Sequence, residues 1–154
     1  LNYSKFFQKV SRYITDDVAI ISDTTKILRH VYQFKTSQNQ FLSSAFYGAK
    51  DYVLPAILGF GLANANNRIF AFLDSKSFQM AAFEIENIAK NGLIPIIFVI
   101  NDYLNKNSIS INYEKITDLL GRGLSFRVET EDELCSNVEA AIKSKQLSVI
   151  HVLF

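Results

Sequence analysis

The sequence predicts an α/β domain of three layers, αβα, on a mostly parallel sheet of about six strands. Three observations predict it. Short apolar runs alternate with stretches of helical spacing from end to end, the pattern of repeated β-α units. The run from Ile94 to Ile100 is apolar throughout, which reads as a strand buried on both faces, as in a parallel sheet. The 154 residues are 49% hydrophobic and 20% charged, which suits one folded domain over 1–154 rather than a disordered chain.

The elements follow in order. Apolar residues at Tyr3, Phe6, Phe7, Val10, Tyr13 and Ile14 have helical spacing. Val18 to Ile21 is a buried strand, and Asp23-Thr24-Thr25 caps a short helix running to about Tyr32. A short strand is expected at Phe41-Leu42. Tyr52 to Asn64 is an apolar helix whose Gly59 and Gly61 are read as close-packing positions, since each weakens a helix by about 1 kcal/mol relative to Ala. Asn66-Asn67 is a turn, and Ile69 to Leu73 is a strand. Ser77 to Asn91 is a helix stopped by Gly92. Ile94 to Ile100 and Ser125 to Val128 are strands. Thr130 opens a capping box with Glu133 and a helix to about Lys143. Ser148 to Phe154 is the last strand.

Composition narrows the function. A net charge of +1, with lysines and arginines scattered, provides no field for nucleic acid or an anionic membrane. No segment approaches the ~20 apolar residues that a membrane-spanning helix needs. Cys135 is the single cysteine, so neither an internal disulfide nor a zinc site is expected. It reads as a small buried or half-buried thiol, compatible with a reducing compartment, the cytoplasm by default. Leu1-Asn2-Tyr3-Ser4 lacks an initiator Met and a signal-peptide pattern, so the chain reads as a piece of a longer protein.

In a parallel sheet, ligands sit beyond the carboxyl ends of the strands. Two such tips carry polar residues, Asp74-Ser75-Lys76 and Asn101-Asp102. The chain reads Asp74-Ser75-Lys76-Ser77-Phe78-Gln79-Met80, then Glu84, then Gly92-Leu93-Ile94-Pro95-Ile96-Ile97-Phe98-Val99-Ile100-Asn101-Asp102. This resembles the Gly-Asp-Gly-Ser-Phe-Gln-Met stretch, helix, strand and terminal Asn-Asn of thiamine-diphosphate decarboxylases of the pyruvate and indolepyruvate type. The spacing from Ser75 to Asp102 equals the family's spacing between its two metal ligands. Asp17 to Thr24 is similar to the family's opening strand. Tyr47-Gly48 and Leu54 to Gly59 resemble its glycine-rich turn and following helix, and Phe126 to Leu134 its closing strand and helix. The resemblance covers nearly the whole chain in order, but one of the family's three domains.

The resemblance implies the thiamine-diphosphate-binding fold and, where the site is intact, thiamine diphosphate held with Mg²⁺. It also implies a separate pyrimidine-binding domain and assembly into oligomers. In the preferred, ungapped frame the family's first glycine falls on Asp74, its metal-binding Asp on Ser75 and its second glycine on Lys76. Ser77, Phe78 and Asn101 match, and the metal-binding Asn becomes Asp102. A gapped frame would put Asp74 on the metal-binding Asp, leaving Asp74 and Asp102 as candidate metal ligands. Gly48 begins the family's glycine turn. Thr25 and Asp51 stand at further glycine positions, where a left-handed L-residue would cost roughly 1–2 kcal/mol.

Two readings of the site are open. In the preferred one the cofactor is absent, Lys76 pairs with Asp102 or Asp74 in the metal's place, and the domain is a non-catalytic scaffold or interaction surface. In the other, Ser75, Lys76, Ser77 and the helix N-terminus still hold a phosphate. Catalysis by this chain alone is not expected on either. His151 reads as structural, His30 as a helix C-terminal residue favouring the dipole, and Gly121-Arg122-Gly123 as a helix stop. Glu84 has a packing or hydrogen-bonding role, and Glu86 is surface charge. The polar segment Tyr103 to Ile111 replaces one that lies over the cofactor in the family.

Overall fold

The structure is a computed structural model that describes residues 1–24, 26–45, 47–101 and 112–154. Helix α1 (Tyr3–Val10) starts at Asn2, whose side chain accepts the Lys5 amide at 3.0 Å, and tightens into a 3₁₀ turn at Ser11–Tyr13. Then come β1 (Val18–Ser22), α2 (Lys26–Val31), β2 (Phe41–Ser43), α3 (Val53–Ala63) and β3 (Arg68–Asp74). They are followed by α4 (Ser75–Met80), α5 (Glu84–Lys90) and β4 (Ile96–Asn101). A 3₁₀ turn (Tyr113–Lys115), α6 (Ile116–Leu120), β5 (Leu124–Val128), α7 (Glu131–Ser144) and β6 (Ser148–Leu153) complete the order.

The six strands form one sheet in the order β2-β1-β3-β4-β6-β5, every neighbouring pair parallel. Successive side chains leave a strand on opposite faces. Phe70, Phe72, Ile96, Phe98 and Ile100 therefore pack with α1, α2 and α7. Ile69, Ala71, Leu73, Ile97 and Val99 pack with α3, α4 and α5 on the other face. Both faces are covered, which is why the central strands read as apolar runs rather than alternating ones. Phe72 and Phe98 lie stacked at 4.9 Å between ring centroids, with Phe6 edge-on to both. Such aromatic pairs add about 0.5–1.5 kcal/mol beyond their burial.

Several expectations are met closely. The capping box at α7 is present: Thr130 Oγ1 accepts the Glu133 amide at 3.3 Å, and Glu133 Oε2 accepts the Thr130 amide at 3.1 Å. Gly92 stops α5 with φ +68, and the chain closes there as a Schellman turn. Gly92 N donates to Ala89 O, and Leu93 N donates to Ile88 O. Gly121 ends α6 in the same left-handed conformation.

Two readings are corrected. The helix expected over Ser77 to Asn91 begins at Ser75 and is two helices, parted at Ala81–Phe83, where Ala81 N donates to Phe78 O and Glu84 N to Ala81 O in tightened turns. Gly59 is not a close-packing position: it is exposed, with nothing within 4 Å of a Cβ built there. Gly61 is one, because that Cβ would lie 2.7 Å from Leu93 Cδ1. The Gly92 turn swings Leu93 onto α3, and Gly61 admits it. Gly59→Ala is expected to stabilise the fold by about 0.5–1 kcal/mol through helix propensity. Gly61→Ala should gain less or lose stability, since Leu93 must move. Equal shifts of melting temperature for the two variants would contradict this packing.

Candidate functional site

The strand order fixes where a site can lie. The chain leaves β1 toward β2 on one side and continues through β3 and β4 on the other, so the sheet's direction of winding reverses between β1 and β3. The crevice beyond their carboxyl ends is the natural ligand position of such a sheet. Asp23 and Thr24 follow β1 there, and Asp74, Ser75, Lys76 and Ser77 lie at the tip of β3 and the first turn of α4.

Asp23 is 2% exposed and extends the pairing, its amide donating to Phe72 O at 2.8 Å. Its Oδ1 accepts the Thr24 amide at 2.7 Å. Its Oδ2 accepts the Ser77 hydroxyl in a short hydrogen bond and, at a longer 3.5 Å, the Asp74 amide. Ser77 is 1% exposed. Its amide donates to Asp74 Oδ1 at 2.7 Å, so Asp74 is the N-cap of α4. Ser77 is thus held between two carboxylates, its hydroxyl on one and its amide on the other. Burial pushes the Asp23 carboxyl above its ordinary range, and the Asp74 charge adds to this. Hydrogen bonds from Ser77, Thr24 and Asp74 pull the other way.

A second anchor holds α4. The Tyr113 hydroxyl donates to Ser75 O at 3.2 Å and accepts from Gln79 Nε2 at 2.6 Å. Its ring stands edge-on to Phe78 and His151, with centroids 5.3 Å and 4.8 Å away. Burial, the largest influence, raises the phenol's pKa.

The candidates from sequence fall into groups. Ser75, Ser77, Phe78 and Asp74 come together on α4 and its cap, with Ser75 and Asp74 half-buried and Phe78 in the core. Lys76 is exposed on the first turn and makes no ion pair among the described residues. No ion pair joins Lys76 to Asp74, whose Oδ1 accepts the Ser77 amide, and the alternative partner Asp102 lies outside the described residues. Asn101 ends β4, one residue past Ile100, the register partner of Asp74, and its carbonyl accepts the Phe154 amide at 3.4 Å. Gly48 has φ +61 in an exposed turn after β2, with nothing within 4 Å of a Cβ built there. Asp102, Thr25 and the segment Tyr103 to Ile111 lie outside the described residues.

The expected backbone strain is also corrected. Among the described residues only Asn39 and Lys145 are non-glycine with positive φ, so Asp51, Asp74 and Lys76 carry no left-handed cost. Asp74 is extended at φ −78 and Lys76 is helical. Sequence reasoning missed Asp23 and Tyr113. Asp23 carried a signal, an acidic residue directly after a buried strand, but was read as a local helix cap. His30 lies in the last turn of α2, stacked on Phe7 at 4.9 Å, and His151 is buried in β6. Arg122 Nη1 donates to Ala89 O at the end of α5. Among the described residues no group of three or more His, Cys, Asp or Glu is placed to hold a metal ion. No helix among them is long and apolar enough to cross a membrane.

Comparison with known proteins decides the family. Residues 21–107 match the model of the thiamine pyrophosphate enzyme C-terminal TPP-binding domain, and these residues are more than half of the chain. The chain belongs to this family. The TPP-binding domain is 23% identical over 168 aligned residues to pyruvate decarboxylase 4 of Arabidopsis thaliana, covering 99% of this chain and 28% of that one. It is 32% identical over 124 residues to an alpha-keto-acid decarboxylase of Mycobacterium leprae, covering 71% and 22%. An X-ray structure described as a thiamin diphosphate-dependent enzyme from Mycobacterium smegmatis superposes with a TM-score of 0.80 at 19% identity, over 97% of this chain and 31% of that one, which shows the shared fold. The TPP-binding domain thus spans less than a third of the length of these relatives.

The buried Asp23 carboxyl gives a pH signature. A folded-state pKa raised above the unfolded value means the native state holds the proton more tightly. That contribution is complete below the ordinary value of 3.8 and is lost as the pH rises through the raised value. Melting temperatures of the wild type relative to Asp23→Asn should therefore fall from about pH 4 toward neutrality. Parallel curves for the two proteins would refute a raised Asp23.

Proposed function

We propose that this TPP-binding domain keeps its family's fold without the cofactor's seat, and that it acts as a non-catalytic scaffold or protein-interaction domain. The observation that supports this is the Ser77 amide at 2.7 Å from Asp74 Oδ1. A diphosphate at these strand tips needs free N–H donors and a cation. The Ser77 amide and hydroxyl are both engaged by the chain's own carboxylates, and Ser75 presents a neutral hydroxyl where the resemblance puts a metal-binding carboxylate. The described residues therefore do not fit Mg²⁺ with a diphosphate.

Magnitudes favour this reading. Two like unit charges 4 Å apart near a protein surface repel by about 4 kcal/mol. Asp23 and Asp74 place acidic groups at these tips, whereas an exposed lysine such as Lys76 returns about 0–1 kcal/mol as an ion pair. Phe83, 91% exposed, and Met80 lie within one turn between α4 and α5, and Tyr47 and Leu119 are also exposed. These apolar side chains suit contact with another domain or a second copy of the chain.

A second reading is supported by the relatives, which include proteins named pyruvate decarboxylase and alpha-keto-acid decarboxylase. In it the chain is the diphosphate-binding part of a thiamine-diphosphate-dependent 2-oxo acid decarboxylase, a lyase whose pyrimidine-binding domain lies outside residues 1–154.

Thermal melting with thiamine diphosphate, with and without Mg²⁺, separates the two. A ligand at a hundred times its Kd stabilises by about 2.7 kcal/mol. That would raise the melting temperature of a domain this size by roughly 5–10 °C. We expect no shift under either condition. A Mg²⁺-dependent rise of that size would overturn the non-catalytic reading and favour the second.

A further inference from the structure

We propose that Asp23, Ser77 and Asp74 act as one latch, which pins the first turn of α4 across the boundary between β1 and β3 and holds these strand tips together with no ligand bound. This deepens, and rests on, the reading that the cofactor's seat is gone.

The geometry joins two parts of the chain that are distant in sequence. Asp23 belongs to the end of β1, and Ser77 to the helix that leaves β3. Their side chains meet in a short hydrogen bond more than fifty residues apart in sequence. The same serine gives its amide to Asp74, the residue before α4, at 2.7 Å. Asp74 in turn offers its own amide to Asp23 at 3.5 Å, closing a three-membered ring of contacts. Both Asp23 and Ser77 are nearly inaccessible to water, so neither hydrogen bond can be replaced cheaply by a solvent one. A helix of six residues has little intrinsic stability, and α4 depends on such contacts for its position. The Tyr113 bonds to Ser75 O and Gln79 hold the same helix from the side of α6, but they do not reach β1.

A ring of this kind behaves as a unit, because opening any member removes the geometry of the others. Two independent hydrogen bonds would not. Amide hydrogen exchange on the full chain, with no ligand added, distinguishes them. In the wild type the amides of residues 77–80 should be protected. Ser77→Ala, which removes the hydroxyl and keeps the capped amide, should speed their exchange about tenfold or more, the scale of a lost hydrogen bond to a charged group. Asp74→Ala should do the same, while Asp74→Ser, which restores a capping oxygen, should recover most of the protection. Exchange in α7 should stay unchanged in all three, which also shows that each variant is folded.

The double variant Ser77→Ala/Asp74→Ala carries the decision. A latch predicts that its acceleration falls well short of the product of the two single effects. Effects that simply multiply, or single variants that leave residues 77–80 unchanged, would overturn the latch. Thermal melting with thiamine diphosphate tests the underlying reading separately. If the wild type bound the cofactor, that reading would fall, whereas the exchange cycle would still report whether the three residues are coupled.

Discussion

The parallel pairing of all six strands is the constraint from which the rest of this molecule follows. Parallel neighbours cannot be joined by a hairpin, so each connection must cross a face of the sheet. The helices that make those crossings cover both faces, and strand residues of either parity are buried. The same arrangement sends every strand's carboxyl end to one edge. Asp23, Asp74 and Asn101 are separated widely in sequence but stand on neighbouring or next-neighbouring strands there.

Two carboxylates, Asp23 and Asp74, gather at that edge. An edge that receives a diphosphate offers backbone donors and a cation. Here the first turn of α4 is capped by a carboxylate from its own chain, and a second carboxylate is buried behind it. Burying Asp23 costs free energy that three donated hydrogen bonds offset, and the burial still leaves its acidity displaced. Substituting Asp74 and Lys76 at positions where the resemblance expects glycine introduces no left-handed strain. The backbone is extended at one and helical at the other. The Asp74 cap accounts for the helix that begins two residues earlier than its periodicity suggests.

Most elements were legible because their signals are local. The Thr130 to Glu133 capping box, the glycine stops at Gly92 and Gly121, and the apolar runs of β1, β3 and β4 each depend on residues within a few positions of one another. The site was legible in part. Ser75, Lys76 and Ser77 announced themselves as polar residues at a strand tip, while Asp23 looked like an ordinary cap for the next helix. Its partner Ser77 lies on another strand's helix, and no local pattern encodes that meeting. Tyr113 was hidden for the same reason, since its hydroxyl matters only where α6's approach brings it beneath α4. Gly59 and Gly61 were indistinguishable by propensity, and only the position of Leu93 separated them.

The amino-acid sequence by itself determined the three-layer parallel architecture and the edge at which its polar residues collect, because periodicity and capping act over a few residues. Tertiary structure alone decided which of those polar groups engage one another. Ser77 lies between Asp23 and Asp74 only because β1 and β3 are adjacent, and strand adjacency depends on the packing of the whole sheet rather than on any stretch of chain.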